Sequence, residues 1–225
     1  MQVKIYSCSN CVGNNTEFIK YGKTACDKQR YQCKNCKKTS VLKYTYNAYK
    51  PNINSKIIQF TKEGLGIRST ARILKISVTT LLKRIVSIAE NIKRPVLSFG
   101  KKYELDEMRF FIRKKKNLMW LVYAIDRETK QVANFYIGRR NNRTLNAVVQ
   151  TLSNSNPIKI FTDKLKNYKY LVPKNLHSVK RFSTNHIERK NLDIRNSLKR
   201  FSRRTLCFSR SLLVCFAVMR MYFWG

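Results

Sequence analysis

What this sequence lacks, for a chain so rich in charge, is acid. Twelve Asp and Glu stand against forty-seven Lys and Arg in 225 residues, a formal net charge of +35. Such an excess costs self-repulsion in a folded chain unless a polyanion relieves it. Long apolar runs are also missing: the longest, near Leu212 to Val218, is far too short to form a membrane-spanning helix. Met1-Gln2-Val3-Lys4 opens no apolar segment with a cleavage site, so no secretory leader and a cytoplasmic setting are expected. There is no internal repeat and no low-complexity tract. The basic residues are scattered over the whole length with aromatic residues interleaved, which points to nucleic acid rather than a membrane surface as the partner.

Seven cysteines, an odd number without an export signal, argue for reduced thiols and metal rather than disulfides. Cys8-x-x-Cys11 and Cys33-x-x-Cys36 flank a stretch containing Gly13, Gly22 and a strand-like Arg30-Tyr31-Gln32. Two residues between cysteines let both thiolates of a knuckle reach one ion, and two knuckles complete a tetrahedral sulfur site. Residues 1–46 therefore read as a zinc ribbon holding structural Zn²⁺, closed to chemistry because four thiolates leave no open position. Cys26, Cys207 and Cys215 fall outside the pattern and are expected to be small core residues.

Residues 47–95 read as helical. A first helix carries Ile57, Ile58 and Phe60 and ends at Gly64; a short second one spans Arg68 to Leu74. Ser77 reads as the N-cap of a third, whose buried side is expected to hold Val78, Leu82, Ile85 and Ala89. Two short helices joined by a tight turn fit a helix-turn-helix, with Thr79, Thr80, Lys83, Arg84 and Ser87 facing away from the apolar side toward a major groove. A plain three-helix bundle with a solvated basic face would show the same pattern.

After Pro95 the pattern changes to strands: Tyr103 to Ile112, then Leu118 to Ile125 and Val132 to Ile137 as a hairpin. A helix over Arg143 to Leu152, a buried strand over 157–163, a candidate strand over Leu176 to Val179 and a long helix from Asn185 follow. Ser209 to the end reads as amphipathic, with Leu212, Phe216, Met219 and Phe223 on one side. Residues 96–225 thus have the element order of a ribonuclease-H-like α/β domain, in which the first and fourth strands lie side by side in parallel. The whole chain is then α+β and multidomain.

That adjacency would bring Asp106, in the middle of the first strand, to Asp163 at the end of the fourth. The long helix packed over them carries Glu188 and, two turns on along one face, Arg195, beside an apolar stripe of Ile187, Ile194, Leu198 and Phe201. Three crowded carboxylates repel unless cations hold them, and hard oxygen ligands suit Mg²⁺ or Mn²⁺. Other readings stand beside this one: Asp163 as a helix cap, Asn185 and Glu188 as a capping box, His186 as a structural residue. Glu104 and Glu107 read as solvated or ion-paired strand residues, either a possible substitute ligand. Asp126 and Glu128 belong to a hairpin turn.

The two C-x-x-C pairs, Arg30-Tyr31-Gln32-Cys33, Thr70-Ala71-Arg72-Ile73-Leu74, Glu104-Leu105-Asp106-Glu107, Thr162-Asp163 and Ile187-Glu188-Arg189 with Asn191-Leu192 together resemble the bacterial insertion-sequence transposases, most closely the insertion sequence 1 family. The resemblance implies a zinc ribbon, a helix-turn-helix and a DDE catalytic domain. It implies catalytic roles for Asp106, Asp163 and Glu188, and marks Arg195 as the basic residue seven positions after the glutamate. The expected activity is binding of double-stranded DNA at the element's terminal inverted repeats, cleavage of the strand ends, and their joining to target DNA by at least two chains, in association with the nucleoid. A non-catalytic DNA-binding regulator and a structure-specific nuclease of the same fold are the alternatives.

Overall fold

The computed structural model describes residues 8, 10, 11, 16–42, 46–180 and 182–225. Met1–Lys4 and Gly13, used above, lie outside the described residues. Contacts divide the chain into two units, Met1–Lys50 and Pro51–Gly225.

In the first unit β1 (Phe18–Lys23), β2 (Gln29–Cys33) and β3 (Thr39–Val41) form an antiparallel sheet in that order. Asp27 and Lys37 take left-handed backbone at its two turns. At the second, Lys37 N–H donates to Cys33 O and Cys33 N–H to Lys38 O, both at 3.0 Å, which folds the chain back beneath Cys36. Among the described residues only Cys8, Cys33 and Ala48 are buried apolar groups here. So small a core does not hold a sheet by itself, and the unit depends on what its cysteines bind.

The second unit begins with α1 (Ile53–Lys62), α2 (Ile67–Leu74) and α3 (Val78–Asn91). Ser77 caps α3 as expected, its hydroxyl accepting from Thr80 N–H. Gly64 ends α1 at φ +75°, where a Cβ would meet Ser197 O at 1.9 Å, so only glycine fits. The buried side of α3 differs from expectation: it is Leu81, Ile85, Ile88 and Ala89, while Val78 is exposed and Leu82 half-buried. The cause is α7 (Leu212–Trp224), which packs on α3 and α1 and selects that stripe.

A five-stranded sheet follows: β4 (Lys102–Phe111), β5 (Leu118–Asp126), β6 (Val132–Gly138), β7 (Lys159–Phe161) and β8 (His177–Ser178), in spatial order β6-β5-β4-β7-β8. β4, β5 and β6 pair antiparallel, whereas β7 runs parallel to β4 with Glu104 opposite Phe161. This is the adjacency of first and fourth strands that the element order predicts. Alternation along β4 divides its side chains between two layers. Tyr103 and Leu105 join Leu145, Val148, Val149 and Leu152 of α4 (Asn142–Ser153) and Tyr168 of α5 (Tyr168–Leu171) in one apolar cluster. Glu104 and Asp106 bond to α6 (Asn185–Ser197) on the other face, where Phe110 also packs tilted against Phe201, ring centroids 4.9 Å apart.

Four local expectations are corrected. α6 ends at Ser197, so Leu198 and Phe201 leave the helix although both remain buried. Asn185 is the first helical residue rather than the cap, and no side chain caps α6 locally; instead Thr184 Oγ1 donates to Glu188 Oε1 at 2.9 Å. α7 is not amphipathic: Cys215, Ala217, Val218, Met219 and Met221 are all buried, while Phe135 of β6 packs against Phe216, Phe223 and Trp224. A helix apolar all round belongs inside, and Met219 and Met221 each contribute about 1.5–3 kcal/mol by leaving water. Of the three remaining cysteines only Cys215 is core; Cys26 and Cys207 are exposed. No helix among the described residues is long and apolar enough to cross a membrane.

Candidate functional site

Asp106, Glu107 and Asp163 each direct a carboxylate oxygen into one spot, all within 4.8 Å of one another. Asp106 comes from the middle of β4, and Asp163 follows β7 by two residues. Asp163 Oδ1 accepts from Leu165 N–H at 2.9 Å, while Thr162 beside it bonds His177 Nε2 at 2.7 Å. Asp106 Oδ1 accepts from Glu107 N–H at 2.8 Å and Oδ2 from Asn191 Nδ2 of α6 at 2.6 Å. Burial pushes the Asp106 carboxyl up to about 7, the charges of Glu107 and Asp163 add to this, and its two hydrogen bonds oppose it.

Glu107 is the member that sequence reasoning set among solvated or ion-paired residues. It is ion-paired, but buried rather than solvated. Its Oε1 accepts from Arg140 Nε at 2.9 Å and Nη2 at 2.6 Å, and its Oε2 from the Tyr168 hydroxyl at 2.7 Å. Arg140 in turn lies over the Trp120 ring, 4.6 Å from its centroid. The clue in the sequence was its place next to Asp106, where the two faces of one strand can both bend toward a neighbouring loop. Burial and the Glu107 charge push the Tyr168 phenol far above its ordinary range, so it stays a donor.

Glu188 does not enter this group. It is exposed and bonded to Thr184, and the residue of α6 that reaches Asp106 is Asn191. Helical geometry places Glu188, Asn191 and Arg195 along one stripe, the first two about 4.5 Å apart along the axis. Tyr123, opposite Asp106 on β5, donates to Asn191 Oδ1 at 2.9 Å and to Ile187 O at 3.2 Å, which fixes the orientation of the Asn191 amide. Arg195 carries a buried Nε without a hydrogen-bond partner. Burial and the nearby Arg203 charge lower its affinity for the proton, while Asp106 raises it.

An enclosed carboxylate beside two others is the donor set that a hard divalent cation requires. Asp106 and Asp163 would supply such an ion with oxygen ligands. In the first unit the sulfurs of Cys8, Cys11, Cys33 and Cys36 also lie within 4.8 Å of one another. Cys8 to Cys36 is 3.6 Å and Cys11 to Cys33 is 3.8 Å, close to the edge of about 3.8 Å in a tetrahedron with zinc–sulfur bonds of about 2.3 Å. The Lys38 backbone N–H, with lesser help from the other thiols, lowers Cys36 to about 6, while the Cys36 hydrogen bond and burial raise Cys11 to about 12, so without a metal the cluster holds its first negative charge on Cys36.

Of the residues expected to face DNA, Thr79 and Lys83 are exposed on α3. Thr80 bonds the cap, its hydroxyl 2.8 Å from Ser77 Oγ, and Arg84 Nη1 donates to Asn54 Oδ1 of α1 at 3.0 Å.

Comparison with known proteins agrees along most of the chain. Residues 101–223 match the family described as IS1 transposase, and residues 44–87 match the family described as the InsA C-terminal domain. The insertion element iso-IS1n protein InsB of Shigella dysenteriae is 36% identical over 109 residues, covering 48% of this chain and 83% of that protein. Among solved structures, a chain of the simian T-cell lymphotropic virus intasome in complex with PP2A regulatory subunit B56 gamma aligns at 14% identity and TM-score 0.39, over 72% of this chain and 66% of that one. The HTLV-2 integrase catalytic core domain in complex with magnesium aligns at 16% identity and TM-score 0.36, over 57% and 86%. Likenesses as loose as these last two decide neither fold nor chemistry.

Proposed function

The chain belongs to the IS1 transposase family, and from that premise we propose that it binds the terminal inverted repeats of its own element, cleaves the strand ends and joins them to target DNA. The observation that carries this reading is the convergence of Asp106 and Asp163 from adjacent parallel strands, beneath a helix that presents Glu188, Asn191 and Arg195. The regions 1–46, 47–95 and 96–225 then act as zinc ribbon, helix-turn-helix and ribonuclease-H-like catalytic domain.

In this reading Asp106, Asp163 and Glu188 hold Mg²⁺ or Mn²⁺. When bound, a pair of such ions activates an attacking oxygen and stabilises the departing one. Asn191, oriented by Tyr123, holds the Asp106 carboxylate toward Asp163. Arg195, half-buried beside Asp106, takes a backbone phosphate near the cut. Water attacks a phosphodiester at the element's end, breaking its P–O3′ bond to leave a 3′-hydroxyl and a 5′-phosphate; that hydroxyl then attacks a target phosphodiester, and the target strand's own 3′-oxygen departs as a hydroxyl. Thr79 and Lys83 of α3 contact bases, with Thr80 and Arg84 behind them, and the +35 charge supplies sequence-independent attraction. Two ends must be brought together, so at least two chains act on double-stranded DNA. Zn²⁺ on the four cysteines is structural.

The test is a strand-transfer assay on DNA carrying the inverted repeats that flank the coding sequence. Asp106→Ala, Asp163→Ala and Glu188→Ala should each abolish cleavage and joining together while end binding survives; Glu128→Ala and Asp193→Ala should retain both. Cleavage without joining would reassign the protein as a nuclease, and binding with no product as a regulator. A Glu188→Ala chain that joins ends at the wild-type rate would remove α6 from the site.

A further inference from the structure

Glu104 is the most enclosed carboxylate among the described residues, with no exposed surface, two positions from Asp106 on the same face of β4. Its Oε2 accepts from the backbone N–H groups of His186 at 3.1 Å and Ile187 at 3.0 Å. Its Oε1 lies 2.6 Å from His186 Nδ1 and 3.3 Å from Arg127 Nε. The first N–H groups of a helix have no partner within it and form the positive end of its dipole. No side chain caps α6 locally, so a carboxylate from the neighbouring strand does the work of a cap.

The remaining partners extend this link. Arg127 sits in the turn between β5 and β6, its N–H held by Lys102 O at 2.8 Å, its guanidinium 4.4 Å from the Phe161 ring centroid. Phe161 pairs with Glu104 across β4 and β7, and Asp163 follows it by two residues. Ile187, whose N–H Glu104 accepts, precedes Glu188. One buried carboxylate is thus tied to each of the three elements that carry Asp106, Asp163 and Glu188. Four protein donors surround its two oxygens, and it is not among the carboxylates that gather with Asp106 and Asp163.

We propose that Glu104 is the positioning residue of this site, pinning the N-terminus of α6 and the β5–β6 turn against β4 so that Glu188, Asn191 and Arg195 stay in register with Asp106 and Asp163. The inference rests on the function proposed above. A buried charge is kept only where it is fully partnered, and here the partners are the parts that must not move. Without the carboxylate two enclosed N–H groups lose their acceptor. A slip of α6 by one residue would turn it by about 100° and carry Glu188 off the site.

The experiment compares the full-length wild type, Glu104→Gln and Glu128→Gln by two readings: Mn²⁺ affinity from the free-ion electron-paramagnetic-resonance signal, and Mn²⁺-dependent nicking of supercoiled plasmid. Glu104→Gln keeps the shape but turns an amide donor toward either the two backbone N–H groups or the Arg127 and His186 side chains. It should weaken Mn²⁺ binding and raise the half-saturating Mn²⁺ for nicking by about tenfold or more, with plasmid affinity unchanged. Glu128→Gln should match the wild type. A Glu104→Gln chain that melts at a lower temperature yet binds Mn²⁺ like the wild type overturns the proposal, because that is what a purely architectural residue would do. If Glu104→Gln does not fold, His186→Ala removes one donor to the same carboxylate, and an unchanged Mn²⁺ affinity there counts equally against it. A wild type that binds Mn²⁺ but never nicks DNA overturns the proposed function instead, and the positioning role is then judged on Mn²⁺ affinity alone.

Discussion

Asn191 of α6 donates a hydrogen bond to Asp106 of β4 at 2.6 Å, and Tyr123 holds the other end of the same amide at 2.9 Å. The helix therefore meets Asp106 through a neutral donor, which offsets part of the cost of enclosing its charge. Glu188 waits one turn away on the same stripe, on the solvent side. Several measurable consequences arise from this arrangement and its neighbours.

Removing the amide should cost stability mainly where Asp106 is ionised. A hydrogen bond to a charged group is worth about 1.5–3 kcal/mol, so Asn191→Ala should lose about that much at roughly pH 8 in the absence of divalent ions. At roughly pH 5, with Asp106 protonated, the loss should fall toward that of a neutral pair, about 0.5–1.5 kcal/mol. Urea denaturation at the two pH values decides; equal losses would mean that the Asn191–Asp106 bond is not charge-assisted.

Asp106 itself should make the metal-free protein less stable as pH rises. Its folded pKa of about 7 lies above the ordinary aspartate value of 3.8, so the folded state holds the proton longer. The stabilising contribution is complete below the unfolded pKa and is lost as pH climbs through the folded one. Thermal melts in chelator should show a downward slope across this window that Asp106→Asn flattens. Mg²⁺ added at the upper end should restore stability in the wild type and much less in Asp106→Asn.

Arg140 and Glu107 should behave as a coupled pair. Arg140→Ala leaves a buried carboxylate beside two others with only Tyr168 to serve it, and breaking such a pair from one side costs about 3–5 kcal/mol when both partners are buried. Arg140 is 39% exposed against 2% for Glu107, so the lower end or less is expected. Adding Glu107→Gln to Arg140→Ala should recover part of the loss. Strictly additive losses in the double-mutant cycle would show that the two do not interact.

The cysteine site should hold about one zinc per chain, since one set of four thiolates closes one coordination sphere. Cys33→Ser should unfold the first unit, whose apolar core is minimal, and leave Mn²⁺ binding at the acidic site intact. Metal analysis and hydrogen exchange over residues 16–42 provide the readings. A folded sample with essentially no zinc would defeat the assignment.

Several of these features were legible from residues alone. The paired cysteines state their own geometry, because a two-residue spacer admits one arrangement of two sulfurs around an ion. The alternating strands and the helices between them put β7 beside β4, and Asp163 beside Asp106, through chain order alone. Ser77 and Gly64 mark their helix ends by local chemistry, a hydroxyl acceptor in one case and a left-handed backbone in the other.

What only the tertiary structure decided are the partners supplied from far along the chain. The stripe of α3 that is buried depends on α7, more than a hundred residues later, so the local period alone pointed to Val78 and Leu82 where the structure buries Leu81 and Ile88. Asn185 and Glu188 have the spacing of a capping box, but the first N–H groups of α6 are satisfied by Glu104 from another element, and that frees Glu188 to face solvent. Glu107 and Asp106 are adjacent letters with the same charge. Asp106 bonds to Asn191 on one face of β4 and Glu107 to Tyr168 on the other. A strand's sequence records that its neighbours face opposite ways; it does not record which helix arrives on each side, because that is settled by the packing of surfaces that meet only when the whole domain has closed.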